Sequence, residues 1–329
     1  METRPLRIVI PGGSGQVGQM LAGYFQERGH HVTVLTRGPY TANWLTVHWD
    51  GMNPGPWVET LEGVDVVIHL SGKSVNCRAT ERNKREMFDS RIGPTRLLGR
   101  VIAGMDNPPR LWMNASTATI YRHALDREMD EATGEIGGGE MISRRRRAPK
   151  KWDWTIELVK AWEAALYESA TPNTRRIAMR TSLVFSPTPG NIFAVLSNLV
   201  RFSLGGTQGN GRQYVSWMHE ADYARAIEFL IEHEEFEGPV NLASPNPIPN
   251  REFMAELRDA WGMPNGLPAP ALLIALGAIF LRTETELVLK SRRVIPGRLM
   301  DAGFEFEFPE WAGAAADLVR KWRKTASGE

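Results

Sequence analysis

Cysteine is nearly absent. Cys77 is the only one in 329 residues, so no disulfide can close within the chain, and a reducing, cytoplasmic setting is expected. An excess of either charge is also missing: 39 Lys and Arg stand against 38 Asp and Glu. That balance gives no global attraction to nucleic acid or to acidic membranes. Long hydrophobic runs are missing too. The longest, PAPALLIALGAIFL at 268–281, falls short of the roughly 20 residues a bilayer span needs. It reads as a buried or interface helix, with a membrane-surface helix as the alternative. The opening METRPLRIVIPGG enters a strand within a few residues and shows no long apolar signal region.

What is present is enough to fold. Hydrophobic residues make up 42% of the chain, which excludes global disorder. The length suits one large domain or two of moderate size. Short apolar runs at 6–10, 31–35, 64–70, 110–115 and 175–180 read as buried parallel strands. Helical patterns lie between them at 16–28, 82–104 and 154–169. This alternation predicts an α/β fold with a doubly wound parallel sheet. After about residue 185 the pattern changes. Gly and Pro cluster at 186–190, 205–211, 238–249 and 262–270, among helices expected at 191–203, 220–234, 251–261 and 269–291. We expect a cofactor domain over 1–185, with returning segments near 213–245. A smaller α+β part over 186–329 would cover the substrate.

Residues 126–151 read as an inserted loop, acidic in its first half and ending in SRRRRAPKK. The arginines suit a solvated surface, a clamp for an anionic substrate, or a nucleic-acid contact; the neutral balance of the whole chain argues against the last.

The most informative segment is RIVIPGGSGQVGQML. A strand ends at Ile10, Gly12, Gly15 and Gly18 follow, and a helix begins. Gly12 permits a tight turn, Gly15 lets a diphosphate approach the main chain, and Gly18 lets the helix pack against the strand. The helix start then offers free N–H groups to the phosphates. This strand–turn–helix context predicts a Rossmann-type dinucleotide site at Gly12, Gly13, Ser14, Gly15, Gln16, Val17 and Gly18. The second strand ends in Thr36 and Arg37 where an acidic residue would favour NAD. A guanidinium pairs well with a 2′-phosphate, so NADP(H) is favoured; the bland alternative is a solvated arginine. Leu70, Ser71 and Gly72 end the run VDVVIHLSG and leave room for the adenosine half.

These segments, with STATIY at 116–121 and QYVSWMHEADYARAI at 213–227, resemble the extended short-chain dehydrogenase/reductase superfamily. A closer resemblance is to an atypical epimerase-like family with a C-terminal domain of unknown function. It is carried by SGKSVNCRATERNKREMFDSRIGPTRLL (71–98), GGTQGNGRQYVSWMH (205–219), NLASPNPIPNREF (241–253) and SRRVIPGRLMDAGFEFEFPE (291–310). The family pattern is broken at Lys73, at TIYRH (119–123) and at Arg78-Ala79-Thr80. The resemblance implies coenzyme contacts at Ser116 and Ser182, and a carbonyl-polarising hydroxyl at Thr117. It also implies a tyrosine and a lysine one helical turn apart. Their positions fall on Thr155 and Val159, which can do neither job. Lys160 is one position off, about 100° around a helix.

Three readings follow. The chemistry has moved to other groups, with Tyr121, Tyr214, His219, Lys73 and Lys160 as candidates and Thr117 and Tyr121 preferred. Or hydride transfer proceeds with water as proton source. Or the protein binds NADP(H) without turnover, as a redox sensor. Lys73, Arg212 and Tyr214 are the expected contacts to a small substrate, anionic or nucleotide-linked. No metal site is expected. A second copy of the chain is the expected protein partner, if there is one.

Overall fold

In the computed structural model, described for residues 4–138, 141–143, 146–147, 153–270, 274 and 286–327, seven strands form one sheet. They are β1 (Arg7–Pro11), β2 (His31–Thr36), β3 (Leu45–His48), β4 (Val66–His69), β5 (Leu111–Thr117), β6 (Arg175–Thr181) and β7 (Gly238–Leu242). Every pairing is parallel, and the order across the sheet is β3-β2-β1-β4-β5-β6-β7.

The strands are apolar on both faces because both faces are covered. Ile8 and Ile10 of β1 pack with Leu21 and Phe25 of α1 (Gln16–Glu27) and with Ile227 and Leu230 of α5 (Glu220–Glu232). Val9, between them, points the other way. It joins Leu97 and Leu98 of α2 (Glu81–Ala103) and Leu166 of α3 (Asp153–Tyr167). The period-two alternation of a strand thus feeds two cores, which is why these runs read as continuously hydrophobic.

A third core sits beyond the sheet. Phe193 and Val200 of α4 (Ile192–Arg201), Phe253 and Leu257 of α6 (Asn250–Trp261), and Trp311 and Leu318 of α7 (Trp311–Ser327) fill it. The Phe253 and Trp311 rings stack at 4.2 Å and 15°. The buried Asp222 carboxylate accepts both the Glu307 and Phe308 amides at 2.8 Å, tying the C-terminal segment to α5.

Neither β3 nor α7 was anticipated. β3 is an edge strand that buries no side chain fully, so it carries no apolar run to find. α7 does carry a helical spacing of buried residues, at 311, 314, 315, 318 and 319. The helix expected over 269–291 lies mostly outside the described residues; residue 274 and Glu286–Leu289 are helical. Of the basic run, Arg146–Arg147 pair antiparallel with Met141–Ser143, and the rest lies outside the described residues.

Candidate functional site

The turn after β1 is held by its own backbone. Gly12 N–H donates to Leu35 O at 2.8 Å, Gly13 N–H to Ile10 O at 3.0 Å, and Gly15 N–H to Gly12 O at 3.2 Å. Gly12 has φ +79°, and a Cβ there would meet the Ser71 amide at 2.7 Å. A Cβ on Gly18 would meet the Gly13 backbone at 2.4 Å, so the absent side chain lets α1 sit against the turn. Gly15 is different: a Cβ there would touch Gly12 O alone, at 3.6 Å. Gly15 is also the N-cap of α1, and no side chain caps that end. Its N–H groups are therefore left for an acceptor.

This turn forms one wall of a cleft of about 1100 Å³. Gly12, Ser14 and Gly15 line it, with Arg37 from the end of β2 and Ser71 and Gly72 from the end of β4. Leu70 and Lys73 border it as well. Thr36 Oγ1 donates to Ser14 Oγ at 3.0 Å, which fixes the turn to the strand that carries Arg37. Arg37 is exposed. Ser71 Oγ is buried and has no hydrogen-bond partner among the described residues, a cost unless a ligand supplies one. Gly13, Gln16, Val17 and Gly18 do not line the cleft. Val17 packs on the core, and Gln16 Nε2 donates to Pro189 O at 2.9 Å. Lys73 Nζ is tied to Glu86 and to Asn83 Oδ1, the latter at 2.9 Å.

A second cavity, about 280 Å³, is lined by Val75 and Cys77, which follow directly on the 71–74 segment that lines the first. Ser116, Thr117, Thr155, Val159, Ser182 and Glu286 stand on its wall. So the two positions at which the resemblance implies tyrosine and lysine do face a cavity, together with the expected hydroxyls. Thr155 and Val159 share one face of α3 because they are four residues apart, while Lys160 is exposed. Thr117 Oγ1 donates to Thr119 Oγ1 at 3.2 Å, and Ser182 Oγ to Leu242 O at 3.0 Å.

Behind this wall runs a buried polar chain. Ser116 Oγ donates to Glu163 at 2.6 Å, and Glu163 takes two guanidinium bonds from Arg180 at 2.8 and 2.9 Å. Arg180 donates to Tyr121 Oη at 3.0 Å, and Tyr121 donates onward to Asn241 at 3.0 Å. Tyr121 is 1% exposed and borders neither cavity. Burial, the largest cause, pushes its phenol above the ordinary range. The geometry therefore gives Tyr121 a structural place and no proton to exchange with a ligand.

The other sequence candidates lie elsewhere. Arg212 is exposed and Tyr214 is half-buried under the Arg293 guanidinium, 4.5 Å from its ring; neither borders the two cavities. His219 caps α5, its Nδ1 accepting the Ala221 amide at 3.1 Å. Its Nε2–H then points to Asp317 at 3.2 Å.

Glu286 and Arg292, which also line the inner wall, were not among the sequence candidates. Glu286 is 4% exposed, and its Oε1 accepts the Thr155 hydroxyl at 2.9 Å. Lys290 Nζ lies 3.5 Å from the same carboxylate and donates to Thr119 O at 3.0 Å. Burial raises the Glu286 carboxyl above its ordinary range, against Arg292, Lys290 and Thr155, which lower it. Burial also lowers the Arg292 guanidinium. No sequence signal joins residue 286 to residue 155; only the fold does. Among the described residues there is no His, Cys, Asp and Glu cluster fit for a metal, and no helix long and apolar enough to cross a membrane.

The comparisons with known proteins agree with this geometry. The NAD dependent epimerase/dehydratase family matches residues 8–243, and the domain of unknown function DUF1731 matches 267–318. The epimerase family protein YfhF of Bacillus subtilis is 29% identical over 325 residues, covering 97% of this chain and 100% of the relative. The Staphylococcus epidermidis epimerase family protein SERP0438 is 30% identical, covering 95% and 99%. The crystal structure of human epimerase family protein SDR39U1 with NADPH superposes with a TM-score of 0.82 at 27% identity, covering 96% of this chain and 99% of that one. With the glycine turn, the parallel sheet and the match across most of its length, this chain belongs to the NAD dependent epimerase/dehydratase family and carries a C-terminal DUF1731 domain.

Proposed function

We propose that this protein binds NADP(H) and exchanges hydride with a small substrate held in the inner cavity, as an oxidoreductase or an epimerase. The amides of the 12–18 turn and the start of α1 would hold the diphosphate, and Arg37 the 2′-phosphate. Ser71 and Gly72 would border the adenosine half; Ser116, Thr117 and Ser182 would face the nicotinamide end. When bound, the coenzyme supplies the hydride donor or acceptor. The carrying observation is that Arg37 shares one cleft with Gly12, Gly15 and the unpartnered Ser71 Oγ. The NADPH in the human relative's structure supports the same choice. An anionic or nucleotide-linked substrate suits the cationic Arg91 and Arg292 on the inner wall. Arg212 and Tyr214 are not part of the proposal.

A second reading is coenzyme binding without turnover, favoured by Thr155 and Val159 where a proton-transfer pair is implied. One experiment separates the two. NADPH titrated into the protein should quench its tryptophan emission, with 11 tryptophans to report it. A panel of carbonyl compounds and nucleotide sugars is then added. Loss of NADPH absorbance or isomer exchange supports the enzyme, and tight binding with no turnover across the panel supports the sensor. Absence of NADPH binding overturns both.

A further inference from the structure

The inner cavity lacks the tyrosine the resemblance implies, but a carboxyl lines it. Glu286 stands on its wall with Ser116, Thr117 and Thr155. Its carboxyl is held by the hydroxyl of Thr155, the residue at the vacated tyrosine position, at 2.9 Å. We propose that Glu286 is the proton-transferring residue of this cavity, supplied by the C-terminal domain, with Thr155 as its positioning residue. The inference rests on the coenzyme-binding reading above.

The assignment follows from chemistry available at that wall. Threonine and serine hydroxyls do not titrate near neutral pH, and the Ser116 hydrogen is committed to Glu163. Arginine does not release its proton under working conditions. A carboxyl shielded from water titrates above its ordinary range, and general acid–base catalysis needs a group near working pH. Among the described residues, the charged and titratable groups around Glu286 are Lys290 on its own segment, Arg292 three residues past the end of its short helix, and Arg91 and Cys77 on the cavity's other walls. Lys290 and Arg292 restrain the upward shift but do not cancel it, since burial is the largest influence.

The step balances without a further reactant. As a substrate alcohol is oxidised, its O–H proton moves to a Glu286 oxygen while the carbinol hydrogen leaves with its electron pair to NADP⁺. A C=O forms, and Glu286 becomes the neutral acid. In the reverse direction the acid returns its proton to the carbonyl oxygen as hydride arrives at carbon. For an epimerase, hydride returns to the opposite face, with the same proton given back.

The test uses the full chain, with Glu286→Gln and Glu286→Asp. Infrared difference spectra across a pH titration should show a protonated carboxyl band that disappears above the ordinary glutamate range and is missing in Glu286→Gln. Addition of NADPH should shift that band, because the carboxyl borders the space the nicotinamide end would enter. Glu286→Gln should still quench with NADPH at near wild-type affinity. On any panel compound turned over by the wild type, it should be slower by about 100-fold or more, with Glu286→Asp intermediate. A purely structural carboxyl would give a band blind to NADPH. That result, or a missing band, overturns the proposal even before a substrate is known. Loss of NADPH binding in wild type and variant alike would instead overturn the coenzyme reading.

Discussion

Thr155 Oγ1 donates to Glu286 Oε1 at 2.9 Å across 131 residues of chain. The bond joins the helix that carries the implied catalytic positions to the C-terminal DUF1731 segment. It makes that segment part of the inner cavity rather than a distant appendage.

Arg37→Gln tests coenzyme choice. A guanidinium on a 2′-phosphate is worth about 1.5–3 kcal/mol as a charged hydrogen bond, or roughly 10- to 100-fold in affinity. NADPH binding should weaken by that much, with NADH binding nearly unchanged. Calorimetry with both coenzymes reads the difference; equal losses would remove Arg37 from the site.

Gly15→Ala and Gly18→Ala should part company. The Gly18 methyl would enter the Gly13 backbone at 2.4 Å and cannot be relieved by a side-chain rotation. A loss of stability of roughly 1–3 kcal/mol or more is expected. The Gly15 methyl has open space and should cost no more than about 1 kcal/mol, yet it would stand over the cleft and weaken NADPH. Urea unfolding and NADPH titration of both variants check this; equal stability losses would refute the division of roles.

Glu163→Gln keeps the shape of its side chain but leaves the Arg180 guanidinium without its anion. Both side chains are nearly buried, 12% and 10% exposed. Removing one partner of such a pair costs about 3–5 kcal/mol. Adding Arg180→Met should recover part of that loss. A cost below about 1 kcal/mol in denaturant titrations would mean that water already screens the pair.

His69 gives a pH dependence of known sign. It is fully buried with Nδ1 against Asn114 Oδ1 at 2.6 Å, and burial pushes its pKa down to about 4. The unfolded chain takes up a proton as pH falls through about 6.5, before the folded protein does. The His69 contribution to stability should therefore fall as pH drops from about 6.5 towards 4, by on the order of 3 kcal/mol, and be constant above that window. His219, also lowered to about 4 mainly by burial, adds in the same direction. His69→Asn should flatten the slope of urea midpoint against pH; an unchanged slope would exclude His69 as its source.

The sheet was legible because it is buried on both faces. Within 6–10, 31–35 and 64–70 the residues packed between the two layers are mostly apolar, and the helices between them alternate with the strands. The glycine turn was legible for a related reason. Gly12 and Gly18 are set by backbone collisions a few residues away, so the requirement is written locally. Arg37 was readable because it directly follows a strand. The edge strand at Leu45–His48 left no such mark, since one of its sides meets solvent.

The sequence by itself determined the αβ alternation, the glycine turn, and the threonine and valine at 155 and 159 where the resemblance implies tyrosine and lysine. Only the tertiary structure decided what stands beside those two positions. It withdrew Tyr121 into a buried chain with Arg180 and Asn241, and it brought Glu286 to Thr155. The physical reason is that a titratable group's role depends on burial and on its neighbours, and at this cavity those neighbours come from segments far apart along the chain.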